Sequence, residues 1–205
     1  MKVALVEYGA GNLPSVERAL ARLGVESERV ASPAALAYAD AVILPGVGHF
    51  GALMRQLGAQ GMIAPLQEHI RGGRPFLGIC LGLQALFASS DEAPDDTGLA
   101  MFPNRVAALP ATAKLPHMGW NQLQCAGESR LLEGISPDEY FYFAHSYAAM
   151  AAEGASVATC DHGTRFIALL ERGNLCGVQF HPEKSGSAGA KLLSNFLRLA
   201  GEALK

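Results

Sequence analysis

The segment Gly78-Ile79-Cys80-Leu81-Gly82 places a cysteine between two glycines where a strand is predicted to give way to a helix. It follows the apolar run Pro75-Phe76-Leu77 and precedes the helix-prone residues 83–87. A sharp turn of this kind lifts a nucleophile clear of the sheet and tolerates only small neighbours. The positive end of the following helix favours thiolate over thiol. The segment therefore predicts a reactive cysteine, and an enzyme rather than a binding module.

Among the six histidines, His181 has the setting expected of a base for that thiol. It lies in Val178-Gln179-Phe180-His181-Pro182-Glu183, just beyond an apolar strand. Pro182 favours extended backbone at His181, and residues two apart on an extended segment point the same way. Glu183 is therefore expected to hold one ring nitrogen while the other faces Cys80. Together these residues predict a catalytic Cys-His-Glu triad.

A third motif, Pro45-Gly46-Val47-Gly48, follows the apolar strand 41–44. Sites in open α/β sheets form at the carboxyl ends of strands, and all three motifs are expected at such ends. Backbone N–H groups at Val47 and Gly48, with that of Leu81 at the start of the elbow helix, are predicted to form an oxyanion hole. Taken alone, the glycines could simply end a strand, so this prediction depends on the other two motifs.

The elements that must position these residues alternate between strand and helix. Strands are predicted at residues 2–8, 25–30, 41–44 and 76–79, and helices at residues 12–23, 50–70 (with a break near Gly61) and 189–204. This alternation predicts an α/β fold with a mostly parallel central sheet and helices on both faces.

The second half of the chain changes character. Residues 89–97 are polar and acidic and predict a surface loop, whereas 106–147 contain short strand-like pieces that should add antiparallel strands or a small β-layer. Residues 166–170 and 175–180 flank a glycine turn and predict a hairpin. Because no repeat or linker is visible, residues 1–205 are predicted to form a single domain.

Composition limits the classes of protein that need be considered. The 205 residues suffice for one well-buried domain, and half of them are hydrophobic. A formal charge of −3 without a basic cluster argues against nucleic-acid binding. Residues 1–7 do not form a signal peptide, and no run approaches the roughly 20 apolar residues that span a bilayer.

Cysteine spacing points to free thiols. The four cysteines form no C-x-x-C pair and have no metal-ligand spacing with histidine, so no metal site is expected. Cys125, Cys160 and Cys176 are interpreted as small core residues. A reducing compartment and a cytoplasmic location are therefore predicted.

The three motifs together resemble those of the class I, or triad, glutamine amidotransferases. They occur in that family's order, and the resemblance extends from the first strand to the last helix. It implies a flavodoxin-like fold in which the cysteine attacks the side-chain amide of L-glutamine, ammonia leaves, and water releases glutamate. It also implies contacts to glutamine from Gly48, Gln84, Glu92, Ser146 and Tyr147.

Further segments narrow the resemblance to one branch of the family. They are Tyr8-Gly9-Ala10-Gly11-Asn12-Leu13, Pro116-His117-Met118-Gly119-Trp120-Asn121, His145-Ser146-Tyr147 and Lys184-Ser185. They resemble glutaminase subunits of imidazole glycerol phosphate synthases, which serve histidine biosynthesis and pass ammonia to a separate (β/α)₈-barrel cyclase (synthase) subunit. A heterodimer with such a partner is implied, with Asn12, Trp120 and Lys184 expected at the interface.

Several alternatives remain open at this stage. Another triad amidotransferase, such as the one serving pyridoxal phosphate synthesis, would carry Gly-Gly-Glu-Ser where this chain has residues 46–49. A catalytically silent domain that binds and regulates a partner would be expected to have a broken triad. Gln84 could instead cap a helix, Glu92 could be a solvated loop charge, Trp120 a core anchor and Lys184 a plain surface lysine.

Overall fold

A computed structural model describes residues 1–125 and 127–203. Leu204, the last residue of the predicted final helix, and two further positions of the predicted 1–205 domain lie outside the described residues.

The strands and helices follow one another along the chain as predicted in outline. The strands are β1 (Val3–Val6), β2 (Ser27–Val30), β3 (Ala41–Gly46), β4 (Phe76–Cys80), β5 (Phe87–Ser90), β6 (Phe102–Ala108), β7 (His117–Gln122), β8 (Gln124–Cys125), β9 (Tyr140–His145), β10 (Tyr147–Ala149), β11 (Ser156–Asp161), β12 (Arg165–Arg172) and β13 (Leu175–Val178). The helices are α1 (Leu13–Arg22), α2 (Pro33–Leu36), α3 (Phe50–Ala59), α4 (Ile63–Arg71), α5 (Leu81–Gln84) and α6 (Gly186–Ala203), and a 3₁₀ turn spans Pro182–Lys184.

The central sheet has eight strands in the order β2-β1-β3-β4-β13-β12-β11-β8. The first five are parallel, and the last three extend the sheet antiparallel. Strands β1, β3, β4 and β13 are buried along their whole length, as their continuous apolar sequences require in a sheet covered on both faces. The predicted α/β class is confirmed. The predicted hairpin is present as β12 and β13, joined around Gly173 at φ 60°.

Two apolar cores lie on the two faces of this sheet. Val3 and Leu5 of β1 belong to the core that α1 and α6 cover, whereas Ala4 and Val6 belong to the core covered by α3 and α4. The alternation follows from the two-residue period of a strand. None of the described helices is long and apolar enough to cross a membrane.

Two small sheets add the β-layer that was predicted for the second half. One has the order β10-β6-β5, and the other is the antiparallel pair β7-β9, in which His117 faces His145. The predicted break in the helix over 50–70 is also present, because α3 and α4 are separated by a turn at Gly61 with φ 67°.

Local sequence was misleading just after the elbow. The helix predicted over 83–87 is confirmed only for Leu83 and Gln84, since α5 ends at Gln84 and β5 begins at Phe87. The loop predicted over 89–97 is wrong at its start for the same reason, because Ser89 and Ser90 belong to β5. Pairing with β6 and packing of the Phe87 ring on Phe102, with centroids 5.3 Å apart, override the local helix preference. Helix α2 was not predicted.

Candidate active site

Cys80 ends β4 and immediately precedes α5, in a backbone conformation that few residues with side chains adopt. Its φ is 55° and its ψ is −106°. Strain of this kind costs on the order of 1–3 kcal/mol and concentrates at functional sites. A Cβ on Gly82 would lie 1.8 Å from the carbonyl oxygen of Leu44, and one on Gly78 would lie 2.5 Å from the Gly82 carbonyl oxygen. The small neighbours of the elbow are therefore dictated by backbone contact.

His181 and Glu183 form the predicted contact by a different route. The His181 Nδ1 lies 2.9 Å from Glu183 Oε1, and both side chains are buried. His181 is extended, but Glu183 lies in the 3₁₀ turn that begins at Pro182. The predicted pairing along an extended strand is therefore wrong in its geometry, because the turn brings the carboxylate back to the ring.

The surroundings of His181 favour its protonated form. Burial alone would lower the pKa of the imidazole, but hydrogen bonds to Cys80 and Glu183 and the negative charges of both groups raise this pKa to about 10. The cation at neutral pH is the natural partner of a thiolate. Two other cysteines, Cys160 and Cys176, are buried outside the site. Burial raises the pKa of the Cys160 thiol to about 12 and that of Cys176 further still. Those two thiols stay protonated.

The turn after β3 packs directly against the elbow. A Cβ on Gly46 would lie 2.6 Å from the Leu81 Cβ, so only glycine allows this approach. Gly46 is paired with Cys80 in the sheet register, and Gly48 has φ 99°. Leu81 is the first residue of α5, where backbone N–H groups have no partner within the helix. These contacts bring together the residues predicted to form the oxyanion hole.

Tyr8 had no predicted role, but its hydroxyl accepts a hydrogen bond from the Val47 N–H, which was predicted to stabilise an oxyanion. The Val47 N–H donates to the Tyr8 hydroxyl oxygen over 3.1 Å. Burial raises the pKa of Tyr8 to about 12, with a further contribution from the negative charge of Cys80, so the hydroxyl stays neutral. The oxyanion role of Val47 stays a prediction, and it requires this hydrogen bond to be exchanged.

One open pocket of ≈ 330 Å³ joins the predicted catalytic and substrate residues. Its lining includes Cys80 and His181 together with Val47, Gly48, Leu81, Gln84, Glu92, Ser146, Tyr147 and Lys184. A volume of this order fits a small ligand. The residues named here come from five separate stretches of sequence, which meet at the carboxyl ends of β3, β4 and β13.

Two predicted glutamine contacts have additional partners in the protein. The Gln84 Nε2 donates to the Tyr147 carbonyl over 2.8 Å and does not cap a helix. The Glu92 Oε2 accepts the Phe50 N–H at the start of α3 over 2.7 Å, and the side chain is half-buried rather than a solvated loop charge. These hydrogen bonds use neither the Gln84 Oε1 nor the Glu92 Oε1. The predicted contacts of both side chains to glutamine stay predictions.

The residues predicted at a partner interface lie in different settings. The Asn12 Nδ2 points inward and donates to Glu183 Oε1 over 3.4 Å. Trp120 is 56% exposed, so the alternative of a core anchor is wrong, and its ring packs edge-on against Tyr142. The Lys184 Nζ lies 5.6 Å from the centre of the Tyr142 ring. Lys184 is therefore part of the pocket wall and not an isolated surface charge.

A cluster of three histidines beside the pocket had no role in the sequence interpretation. The His145 Nδ1 lies 2.9 Å from the Tyr147 carbonyl oxygen, and its Nε2 lies 3.0 Å from His117 Nδ1. The His162 ring stacks on that of His117 with centroids 4.1 Å apart. Burial, with the nearby histidines, lowers the pKa of His117 to about 4 and that of His145 to about 3. The pairing of β7 with β9 places His117 opposite His145, and the turn between β11 and β12 brings His162 to them.

We expect this cluster to make stability sensitive to mild acid. The unfolded chain binds protons at these histidines near pH 6.5, whereas the folded chain does so only near pH 4 and below. The free energy of unfolding is therefore not reduced by these histidines above pH 6.5, and it falls as the pH is lowered below this value. For His117 and His145 together, the loss at pH 5 is about 2–4 kcal/mol. Urea unfolding of wild type and His117→Gln at pH 7.5 and 5.0 measures this. An identical pH dependence in both proteins would contradict the expectation.

The described residues contain no cluster of three or more His, Cys, Asp or Glu side chains that could hold a metal ion. A cysteine on a strained elbow, a buried His–Glu pair and a parallel sheet that brings them together are the architecture of the cysteine-nucleophile α/β enzymes. The family model for glutamine amidotransferase class-I matches residues 4–200. The chain belongs to the class I glutamine amidotransferase family.

Similar proteins from several organisms narrow the assignment. A protein from Methanothermobacter thermautotrophicus named imidazole glycerol phosphate synthase subunit HisH is 46% identical over 96% of this chain and 98% of its own length. One of the same name from Desulfitobacterium hafniense is 47% identical over 98% of this chain and 95% of its length. A solved structure described as a glutamine amidotransferase has a TM-score of 0.78 at 22% identity, covering 97% of this chain and 98% of that one. The similarity to this solved structure concerns the fold alone, because the two sequences are only 22% identical.

Proposed function

We propose that this chain is the glutaminase subunit of an imidazole glycerol phosphate synthase. It hydrolyses L-glutamine to glutamate and ammonia and delivers the ammonia to a cyclase subunit in histidine biosynthesis. The observation that carries the proposal is near-full-length identity of about 45% to proteins of that name. In this chain the thiol of Cys80 and the imidazole of His181 line one pocket, and the buried Glu183 carboxylate is bonded to the imidazole. Residues 1–205 act as one cytoplasmic domain, without metal or organic cofactor.

The reaction follows from the charges around Cys80. The thiolate attacks the γ-amide carbon of glutamine, and the carbonyl oxygen becomes an oxyanion. The imidazolium of His181 gives its proton to the leaving nitrogen, so that ammonia departs and a γ-glutamyl thioester remains. Neutral His181 then takes a proton from water, which attacks the thioester and releases glutamate and the thiolate. Glu183 keeps the ring oriented and stabilises its charge.

Oxyanion stabilisation is the step that the resting structure leaves incomplete. The Leu81 N–H at the start of α5 is one donor, and the N–H groups of Val47 and Gly48 are the candidates for a second. One such donor contributes about 2.7–4 kcal/mol to the transition state. Because the Val47 N–H is bonded to Tyr8, we expect low glutaminase activity in the isolated chain and stimulation when partner and nucleotide bind.

The partner surface is proposed around the pocket mouth. Met118 and Trp120 are 64% and 56% exposed, and the Lys184 ammonium lies over Tyr142 beside them. Exposed aromatic and methionine side chains of this kind are enriched in interfaces. A relative from Emericella nidulans named imidazole glycerol phosphate synthase hisHF matches this chain over 37% of its length, so that protein carries further sequence on the same chain. For this chain we propose a separate (β/α)₈-barrel cyclase subunit as a heterodimer.

A direct test compares glutamate release with and without the cyclase subunit of the same organism. We expect slow release by the isolated chain, faster release in the complex with cyclase substrate, and glutamine-dependent formation of imidazole glycerol phosphate. Activity in neither state would favour a silent regulatory domain. Stimulation by a pyridoxal phosphate synthase subunit instead would favour that alternative, although residues 46–49 lack its Gly-Gly-Glu-Ser sequence.

Tyr8→Phe tests the link between the resting turn and low activity. Removal of the hydroxyl leaves the Val47 N–H free to reach the oxyanion, so we expect kcat of the isolated chain to rise about tenfold or more with little change in KM. Tyr38→Phe is the matched control, because the Tyr38 ring is exposed. Steady-state glutaminase assays give both constants. A parallel fall of basal and stimulated activity in Tyr8→Phe would show that the hydroxyl only supports the fold.

A further inference from the structure

Gln179 lies one residue beyond β13 and two residues before His181, and it is completely buried. Its Nε2 lies 3.6 Å from the Cys80 sulfur, and its Oε1 lies 3.1 Å from the Nε2 of Gln84. The backbone is fixed as well, since the Gln179 N–H donates to the Ala168 carbonyl of β12. This amide therefore contacts the Cys80 sulfur, and the reaction scheme above assigns it no part.

The orientation of the Gln179 amide follows from chemistry. A carbonyl oxygen only accepts hydrogen bonds, so the Gln84 atom that faces the Tyr147 carbonyl must be its amino group. The second N–H of that amino group donates to Gln179, so the Gln179 atom that accepts it must be the amide oxygen. The amino group of Gln179 is then left facing the sulfur of Cys80. The amide presents a donor and not an acceptor.

The Tyr147 carbonyl fixes a second pair of groups in the same way. His145 Nδ1 lies 2.9 Å from this oxygen and must carry a proton. Its Nε2 is then a lone-pair acceptor in the neutral ring, and His117 Nδ1, 3.0 Å away, must be the donor. The Tyr147 carbonyl oxygen thus sets the direction of the hydrogen bond from Gln84 to Gln179 and of that from His117 to His145. If the Gln179 amide were reversed, its amino group would face the amino group of Gln84.

We propose that Gln179 is a further catalytic residue, which donates an N–H to the Cys80 sulfur and favours the thiolate, and that Gln84 is the positioning residue that holds this amide in the donating orientation. The inference rests on the proposed function for the use made of the thiolate. Hydrogen bonds to charged acceptors are stronger than neutral ones. A buried donor beside the sulfur also loses its only acceptor on that side when the thiolate is protonated, since a thiol accepts weakly.

Other titratable groups also face Cys80 and must remain in place during a test. They are His181 with Glu183 behind it, Tyr8 at the end of β1, and His145 in β9, next to the Ala144 carbonyl that lies 3.9 Å from the sulfur. Substitution at Gln179 leaves each of these side chains unaltered. A change in the ionisation of the sulfur then reports the loss of the amide donor.

The test measures the rate at which iodoacetamide alkylates Cys80 in the full-length chain as a function of pH. The peptide that contains Cys80 is quantified by mass spectrometry, which separates it from exposed Cys125. In Gln179→Met, of similar volume but without the N–H, we expect the profile to move to higher pH by about one unit, so that alkylation is roughly tenfold slower on the rising part of the profile. In the isosteric Gln179→Glu, whose carboxylate offers only acceptors, we expect a larger shift in the same direction.

Gln67→Met is the matched control. Its amide also donates to a backbone carbonyl, that of Leu99, but from α4. We expect its alkylation profile to equal that of wild type. Far-ultraviolet circular dichroism and urea unfolding identify a variant that fails to fold. If Gln179→Met does not fold, the alkylation profile of Gln179→Glu provides the test.

A Gln179→Met or Gln179→Glu profile within about 0.3 pH units of wild type would overturn the inference. The readout needs neither glutamine nor a partner subunit. A shifted profile in a chain that never supports glutamine-dependent synthesis would therefore refute the proposed function and leave the role of Gln179 standing. Normal glutamine-dependent synthesis with unshifted profiles would support the proposed function and refute the role of Gln179.

Discussion

Cys80→Ala is expected to abolish glutamine-dependent synthesis by the complex while synthesis from added ammonium continues. The substitution removes the sulfur that contacts both His181 and Gln179, so no γ-glutamyl thioester can form. Loss of a nucleophile from a catalytic triad typically lowers kcat by a factor on the order of 10⁴ or more. The cyclase half of the reaction needs only ammonia, which added ammonium supplies in place of glutamine.

Two parallel assays measure this division of labour. Imidazole glycerol phosphate formation is followed with glutamine and with an ammonium salt, using wild type, Cys80→Ala and Cys125→Ala in complex with the cyclase subunit. Cys125 is an exposed free thiol at the edge of the sheet, so its interpretation as a core residue is wrong, and its substitution should leave both activities unchanged. If Cys80→Ala were folded and assembled but had lost both activities, the proposed separation between ammonia release and cyclisation would be wrong.

Gly82→Ala is expected to lower the free energy of unfolding by about 4 kcal/mol or more, and to eliminate activity through the fold rather than the chemistry. The added Cβ would lie 1.8 Å from the carbonyl oxygen of Leu44 and 2.9 Å from its carbonyl carbon. Both atoms are backbone of β3, which is paired with β4 and buried on both faces. Relief of the overlap requires the elbow to move away from the sheet, which also displaces Cys80.

Gly201→Ala provides the matched control for this substitution. Gly201 lies in α6, and a Cβ built there meets nothing within 4 Å. Alanine is the better helix former by about 1 kcal/mol, so this variant should be unchanged or slightly more stable. Urea unfolding monitored by circular dichroism compares both variants with wild type. A Gly82→Ala protein within 1 kcal/mol of wild type would mean that the elbow can be displaced at little cost.

The sequence was sufficient for the features that depend on local order. Continuous apolar runs predicted the buried parallel strands β1, β3 and β4, because a strand covered on both faces has no polar side. Two glycines around Cys80 predicted the elbow, since the close approach of α5 to β3 leaves no room for a Cβ. A histidine and a glutamate two residues apart predicted their contact, although a 3₁₀ turn and not an extended strand brings them together.

The tertiary structure decided which distant residues share the pocket. Strand β4 lies between β3 and β13 in the sheet, so the turn after β3 and the segment of Gln179 and His181 reach Cys80 from opposite sides although about 100 residues separate Gln179 from Cys80. The bond from Val47 to Tyr8 depends on this sheet order, and the contact of His117 with His145 depends on the pairing of β7 with β9. Local periodicity and turn residues carry no information about sheet order. Amide and imidazole orientations are set by the acceptors that surround them, and these become known only when the chain is folded.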